Sequence, residues 1–71
     1  MSRYLIIIEL TDSGFSAYSP DLTGCVASGS TRAEVEQNMA EAITFHLDGL
    51  REEGLAIPAP RSEASYYEIA S

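Results

Sequence analysis

The segment Tyr4 to Leu10 reads YLIIIEL, a run of β-branched and aromatic residues too short for a helix and closed by the turn-forming cluster Thr11-Asp12-Ser13-Gly14. Side chains alternate across a strand, so Tyr4, Ile6, Ile8 and Leu10 point one way and Leu5 and Ile7 the other. Both faces of this strand are apolar, and both need cover. In a chain of 71 residues that demand is hard to meet, because a domain this small buries only about 60% of its unfolded surface. Apolar burial then roughly balances chain entropy. A disulfide cannot supplement the core, since Cys25 is the sole cysteine, and one Cys with one His cannot build a four-ligand zinc site. Oligomerisation is the remaining supplement. The second apolar face, Leu5 and Ile7 with Tyr18 and Tyr66, is where another copy of the chain is expected.

Gly14 and Asp12 suit a tight hairpin loop, after which Phe15 to Ser19 returns as a second strand. Pro20-Asp21-Leu22-Thr23-Gly24 reads as a loop, and Cys25 to Ser28 as a short third strand ending at Gly29. Thr31 and Glu34 have capping-box spacing, which makes Thr31 the N-cap of a helix. From Arg32 to about Glu53 the apolar residues Val35, Met39, Ala42, Ile43, His46 or Leu47, and Leu50 keep a helical period, over roughly 33 Å. Gly54 is the expected stop, while Gly49 and the misplaced charges of Glu52 and Glu53 weaken the last turns against the partial offset of Arg51. Pro58 and Pro60 make the next stretch an extended connector, and Ser65 to Ala70 (SYYEIA) alternates like a fourth strand. The expected fold is α+β, a single domain over residues 1–71 with order βββαβ and one long helix on one face of the sheet. A right-handed crossover from strand three to strand four gives spatial order 3-2-1-4, with strand four parallel to strand one.

The formal charge is -7 with no lysine, so the surface lacks the basic stripe of a nucleic-acid binder and favours either plain solubility or a basic partner. The four-residue apolar run Leu5 to Ile8 is too short for a signal core or a membrane span, and a lone cysteine agrees with a reducing compartment, so a cytoplasmic location is expected. Catalysis would have to use Glu9, Asp21, Glu41 and Glu68 as converging carboxylates around metal ions, but their spacing gives no metal motif. The glycines lack phosphate-loop spacing, and Cys25 in an apolar strand reads as an inert thiol. The chain is therefore read as non-catalytic, with no cofactor and no metal.

Binding residues remain. Asp21 either presents its carboxylate to an Arg or His of a partner or caps its own turn. Leu22 is either an apolar anchor at an interface or a loop residue tucked over the core. On the helix, Glu34, Glu36, Glu41, Glu52 and Glu53 form either an acidic face that mimics phosphates or a solvated surface, with Glu34 and Glu36 already accounted for by capping and by the helix dipole. Of these, Asp21, Leu22, Glu41 and Glu52 are the candidate partner contacts. His46 beside the apolar stripe is a packing residue or a pH-sensitive one, and Tyr66 and Tyr67 point to opposite sides of the last strand.

One succession of residues is more specific than any of these taken singly. Ile8-Glu9 ends the first strand, Gly14-Phe15 follows, then Ser19-Pro20-Asp21-Leu22-Thr23-Gly24-Cys25, Gly29-Ser30-Thr31, and an acidic helix with Asn38 and Glu41-Ala42. From Tyr4 through the stretch GLAIPAP at Gly54 to Pro60, the chain resembles the HicB-like antitoxins. That family's loop usually reads Pro-Asp-Leu-Pro-Gly, and Thr23 stands here for the second proline. The resemblance implies a βββαβ domain like a trimmed ribonuclease H fold and a HicA-like partner, a small basic toxin that cleaves mRNA and is blocked by the antitoxin. Many such antitoxins add a C-terminal helix-turn-helix or ribbon-helix-helix module, whereas this sequence ends at Ser71. The expectation is thus the N-terminal HicB-like domain without direct operator binding. The alternative is a stand-alone homo-oligomeric structural or regulatory protein of the same fold.

Overall fold

A computed structural model describes residues 2–70. Three antiparallel strands, β1 (Ile7–Thr11), β2 (Gly14–Tyr18) and β3 (Val26–Gly29), form a sheet of order β1-β2-β3, and α1 (Arg32–Glu52) packs on one of its faces. The register sets Ile8 opposite Ala17 and Ala17 opposite Ala27. This row faces the helix. Ala17, Leu22, Cys25, Val35 and Met39 are the buried centre, with Tyr4, Ile6, Ile8, Phe15, Ala27, Ala42, Ile43 and Leu47 packed around it.

The helix has the expected boundaries because its signals are local. Glu34 donates its backbone N–H to Thr31 Oγ1 at 3.1 Å, and the Glu34 carboxylate accepts from Ser30 N at 2.6 Å. The return bond therefore reaches one residue before the N-cap. At the other end, Gly54 N bonds Arg51 O at 3.1 Å and Leu55 N bonds Leu50 O at 2.9 Å, the paired bonds of a Schellman stop with Gly54 at positive φ.

Three expectations about strands need correction. Strand one begins at Ile7 and not at Tyr4. Its partner β2 ends at Tyr18, because Ser19 turns away into Pro20 and its carbonyl accepts from Leu22 N. Residues 4–6 thus have no ladder to join. Leu10, expected on the core side with Ile8, is 80% exposed, since α1 lies over β2 and β3 and leaves the hairpin end of β1 uncovered. The fourth strand is not formed in this single chain. No described residue after Gly54 lies in a helix or strand, and Tyr66 is 97% exposed. Ser62, Glu63 and Ala64 face Arg3 to Ile6 across a groove and do not pair with them. The order 3-2-1 is therefore present, and the fourth position beside β1 is empty of secondary structure.

Candidate partner-binding surfaces

The loop before β3 is built from two consecutive turns, Leu22 N to Ser19 O and Cys25 N to Leu22 O, each 3.1 Å. Gly24, at φ +79°, takes the left-handed position that closes the second turn. This geometry sends Leu22 inward, where it is 1% exposed. Leu22 belongs to the core, which removes it as a partner anchor. Asp21 caps neither its own turn nor a free surface. Its Oδ2 accepts from the backbone N–H of Arg61 at 2.8 Å and of Ser62 at 2.9 Å, and the Ser62 hydroxyl donates to Oδ1 at 2.9 Å. These bonds, the Arg61 amide foremost, hold the carboxyl below its ordinary range. Asp21 thereby ties the C-terminal arm to the loop, joined by a bond from Tyr4 Oη to the Pro58 carbonyl.

Of the residues expected at an interface, Ile7 and Tyr18 lie on the sheet face away from the helix, while Leu5 precedes β1 and Tyr66 stands outside the sheet. Ile7 pairs with Tyr18 and Tyr18 with Val26, so the three share one cross-strand row on that face. Tyr18 is 41% and Val26 66% exposed, and Leu5 and Ile7 are half-buried. Val26 was not among the expected residues, although its place in strand three would have put it there. Tyr66 stands on the arm, bordering a groove whose other wall runs along Leu5 to Ile8.

The helix has a second exposed face. Glu41, Phe45, Asp48 and Glu52 follow one another at spacings of four, three and four, which places them in one stripe. Phe45 is 82% exposed. Glu41 accepts from Gln37 Nε2 at 2.9 Å, Asp48 holds Arg51 at 3.2 Å, and Glu36 lies 3.7 Å from Arg32. Between the second half of α1 and β3 lies an open groove bordered by Cys25, Val26, Ala42, Phe45, Gly49 and Glu53, with half-buried His46 beside them. Phe45 breaks the apolar period of the core face, and that break was the sequence signal for this surface. Glu9, Asp21, Glu41 and Glu68 do not converge: among the described residues no three His, Cys, Asp or Glu side chains gather where a metal ion would sit. Burial pushes the Cys25 thiol up from its ordinary range, so it stays protonated near neutral pH. No helix among the described residues is long and apolar enough to cross a membrane.

Comparison with known proteins gives a consistent answer. Residues 4–69 match the family described as the HicB-like antitoxin of bacterial toxin-antitoxin systems. A 14.9 kDa protein from the rep-hol intergenic region of Haemophilus phage HP1 is 38% identical over 55 residues, 78% of this chain and 41% of that protein. A UPF0150 protein of Synechocystis is 36% identical over 57 residues, covering 79% of this chain and 72% of the relative. The chain thus spans less than half the length of the phage relative. Among solved structures, a chain of the HicA3 and HicB3 toxin-antitoxin complex superimposes with TM-score 0.72 at 38% identity, over 84% of this chain and 70% of the other. The antitoxin HicB3 crystal structure gives TM-score 0.71 at the same identity, over 84% of this chain and 44% of its own.

Proposed function

This chain belongs to the HicB-like antitoxin family of bacterial toxin-antitoxin systems, and on that footing we propose that it is a non-catalytic antitoxin that covers a small, basic, mRNA-cleaving HicA-like toxin in the cytoplasm. The observation that carries this reading is the match of 84% of the chain to a structure solved as a toxin-antitoxin complex. Charge supports it. An enzyme that grips mRNA needs a basic surface for the phosphates, and this chain offers a net -7, which steers and orients such a partner. The second half of α1 and its C-cap carry Asp48, Glu52 and Glu53 against Arg51 alone, at the end of the helix where the dipole is already negative. Occlusion needs no reactive group, cofactor or metal. Self-association through Leu5, Ile7, Tyr18 and Tyr66 belongs to the same reading, with the apolar face shielded by a second copy.

The test is a ribonuclease assay of the purified toxin with increasing amounts of this chain. Cleavage of mRNA should stop near stoichiometric addition, and co-expression should relieve toxin-induced growth arrest. Undiminished cleavage at tenfold excess would remove the antitoxin function. Self-association in that case would leave a stand-alone homo-oligomeric module of the same fold.

A further inference from the structure

We propose that the groove between the second half of α1 and β3 is the toxin-binding cleft, with Phe45 as its anchor and Gly49 as the residue that keeps it open. This inference rests on the antitoxin reading above and adds the place and chemistry of the contact. Phe45 adds little to the fold, being 82% exposed on a helix whose core face is already filled by Val35, Met39, Ile43 and Leu47. Aromatic side chains left outside in this way are the usual anchors of interfaces. Gly49 points the same way from an independent direction. Glycine is the least favourable residue in a helix interior apart from proline, so helix propensity gives no reason for it at position 49. The chain's own packing supplies none, since a β-carbon at position 49 meets nothing within 4 Å. What it would enter is the groove, of about 420 Å³, that Gly49 borders with Cys25, Ala42 and Phe45.

The occupant is defined by the charges around Phe45. Glu41, Asp48 and Glu52 share the stripe of Phe45, and Glu53 borders the groove itself. Asp48 is engaged with Arg51 at 3.2 Å and Glu41 with Gln37 at 2.9 Å, which leaves Glu52 and Glu53 to meet cations. An exposed aromatic with a groove ending at Glu53 on one side and the carboxylates of Glu41, Asp48 and Glu52 along its other side fits a partner segment bearing an apolar side chain among lysines or arginines, as the RNA-binding surface of the toxin would present.

The probe is the purified HicA-like toxin of the proposed function, titrated calorimetrically against the wild-type chain and three variants. Gly49→Leu should melt at or above the wild-type temperature and yet bind at least tenfold more weakly, because it fills the cleft. Phe45→Ala should keep the melting temperature and also lose at least tenfold. Gly49→Ala, which strengthens the helix but leaves most of the space, should bind within threefold of wild type. If wild type binds while Phe45→Ala and Gly49→Leu bind equally well, the cleft is overturned and the antitoxin reading stands. If the wild-type chain does not bind, both fall. Should Gly49→Leu fail to fold, Phe45→Ala together with backbone amide shifts on toxin binding decides the matter: shifts centred on 42–53 support the cleft, and shifts confined to other elements overturn it.

Discussion

Single residues here act over distances that the sequence does not announce. Asp21 was legible as a residue with a role, lying between Pro20 and Leu22 in a loop, but its partners are backbone amides forty residues away at Arg61 and Ser62. Backbone donors leave no trace in residue type, so no reading of the loop alone finds them. Leu22 was legible as apolar and its direction was not, because the direction is set by two turns that close only when β2 and β3 pair. Two outcomes follow for Asp21. Replacement by Ala should leave the sheet and helix intact while hydrogen exchange at the Arg61 and Ser62 amides rises by an order of magnitude or more; unchanged protection would show that the arm is held elsewhere. Acid should do the same. The folded carboxyl titrates below its ordinary 3.8, chiefly because of the Arg61 and then the Ser62 amide, so its contribution is complete above that value and is lost as pH falls through the folded pKa. The arm should therefore hold at pH 5 and release only as pH falls below 3.8, read from the amide shifts of residues 61 and 62.

Elements were legible where their determinants are contiguous. The start of α1 at Arg32 follows from Thr31 and Glu34, and its stop from Gly54, each signal lying within a few residues of the end it sets. Strand lengths were less legible, because pairing belongs to two segments at once: β1 is cut short by the point where β2 turns at Ser19, and SYYEIA has the alternation of a strand without a ladder to join. Two substitutions test the local devices. Thr31→Ala removes the oxygen that accepts from Glu34 N, which should cost about 1 kcal/mol and lower the melting temperature by roughly 4–8 °C for a domain of this size. Gly29→Ala should cost more. A β-carbon there would stand 2.6 Å from Val35 N and 3.0 Å from Val35 Cα, so the end of β3 and the first turn of α1 must separate, at about 1–3 kcal/mol as for other overpacked sites. A melting temperature equal to wild type would show that the strand-to-helix junction yields freely.

At the scale of the molecule, two features are opposed. The radius of gyration is 14.0 Å with extents of 50 × 26 × 19 Å, against about 11 Å for a compact chain of this length, and the excess comes with an arm on which Tyr66, Tyr67 and Ile69 are 97%, 88% and 76% exposed. Together with the row Ile7, Tyr18 and Val26, this apolar surface favours association of copies. The net charge of -7 opposes it, since each copy repels the next. Association of like-charged copies and capture of a basic toxin should then respond to salt in opposite directions. Screening shortens the reach of charge from roughly 14 Å near 50 mM to about 4 Å near 500 mM, which relieves repulsion between copies and weakens attraction to the toxin. Light scattering should show the oligomer strengthening over that range while the dissociation constant for the toxin rises at least tenfold. Replacing Leu5 and Ile7 together by Asp should give monomer at both salt concentrations and leave toxin affinity within about threefold, because neither residue borders the groove between α1 and β3. If the double variant loses toxin binding in step with its oligomer, the two surfaces are one, and the toxin is held by an assembly of copies with no cleft complete in a single chain.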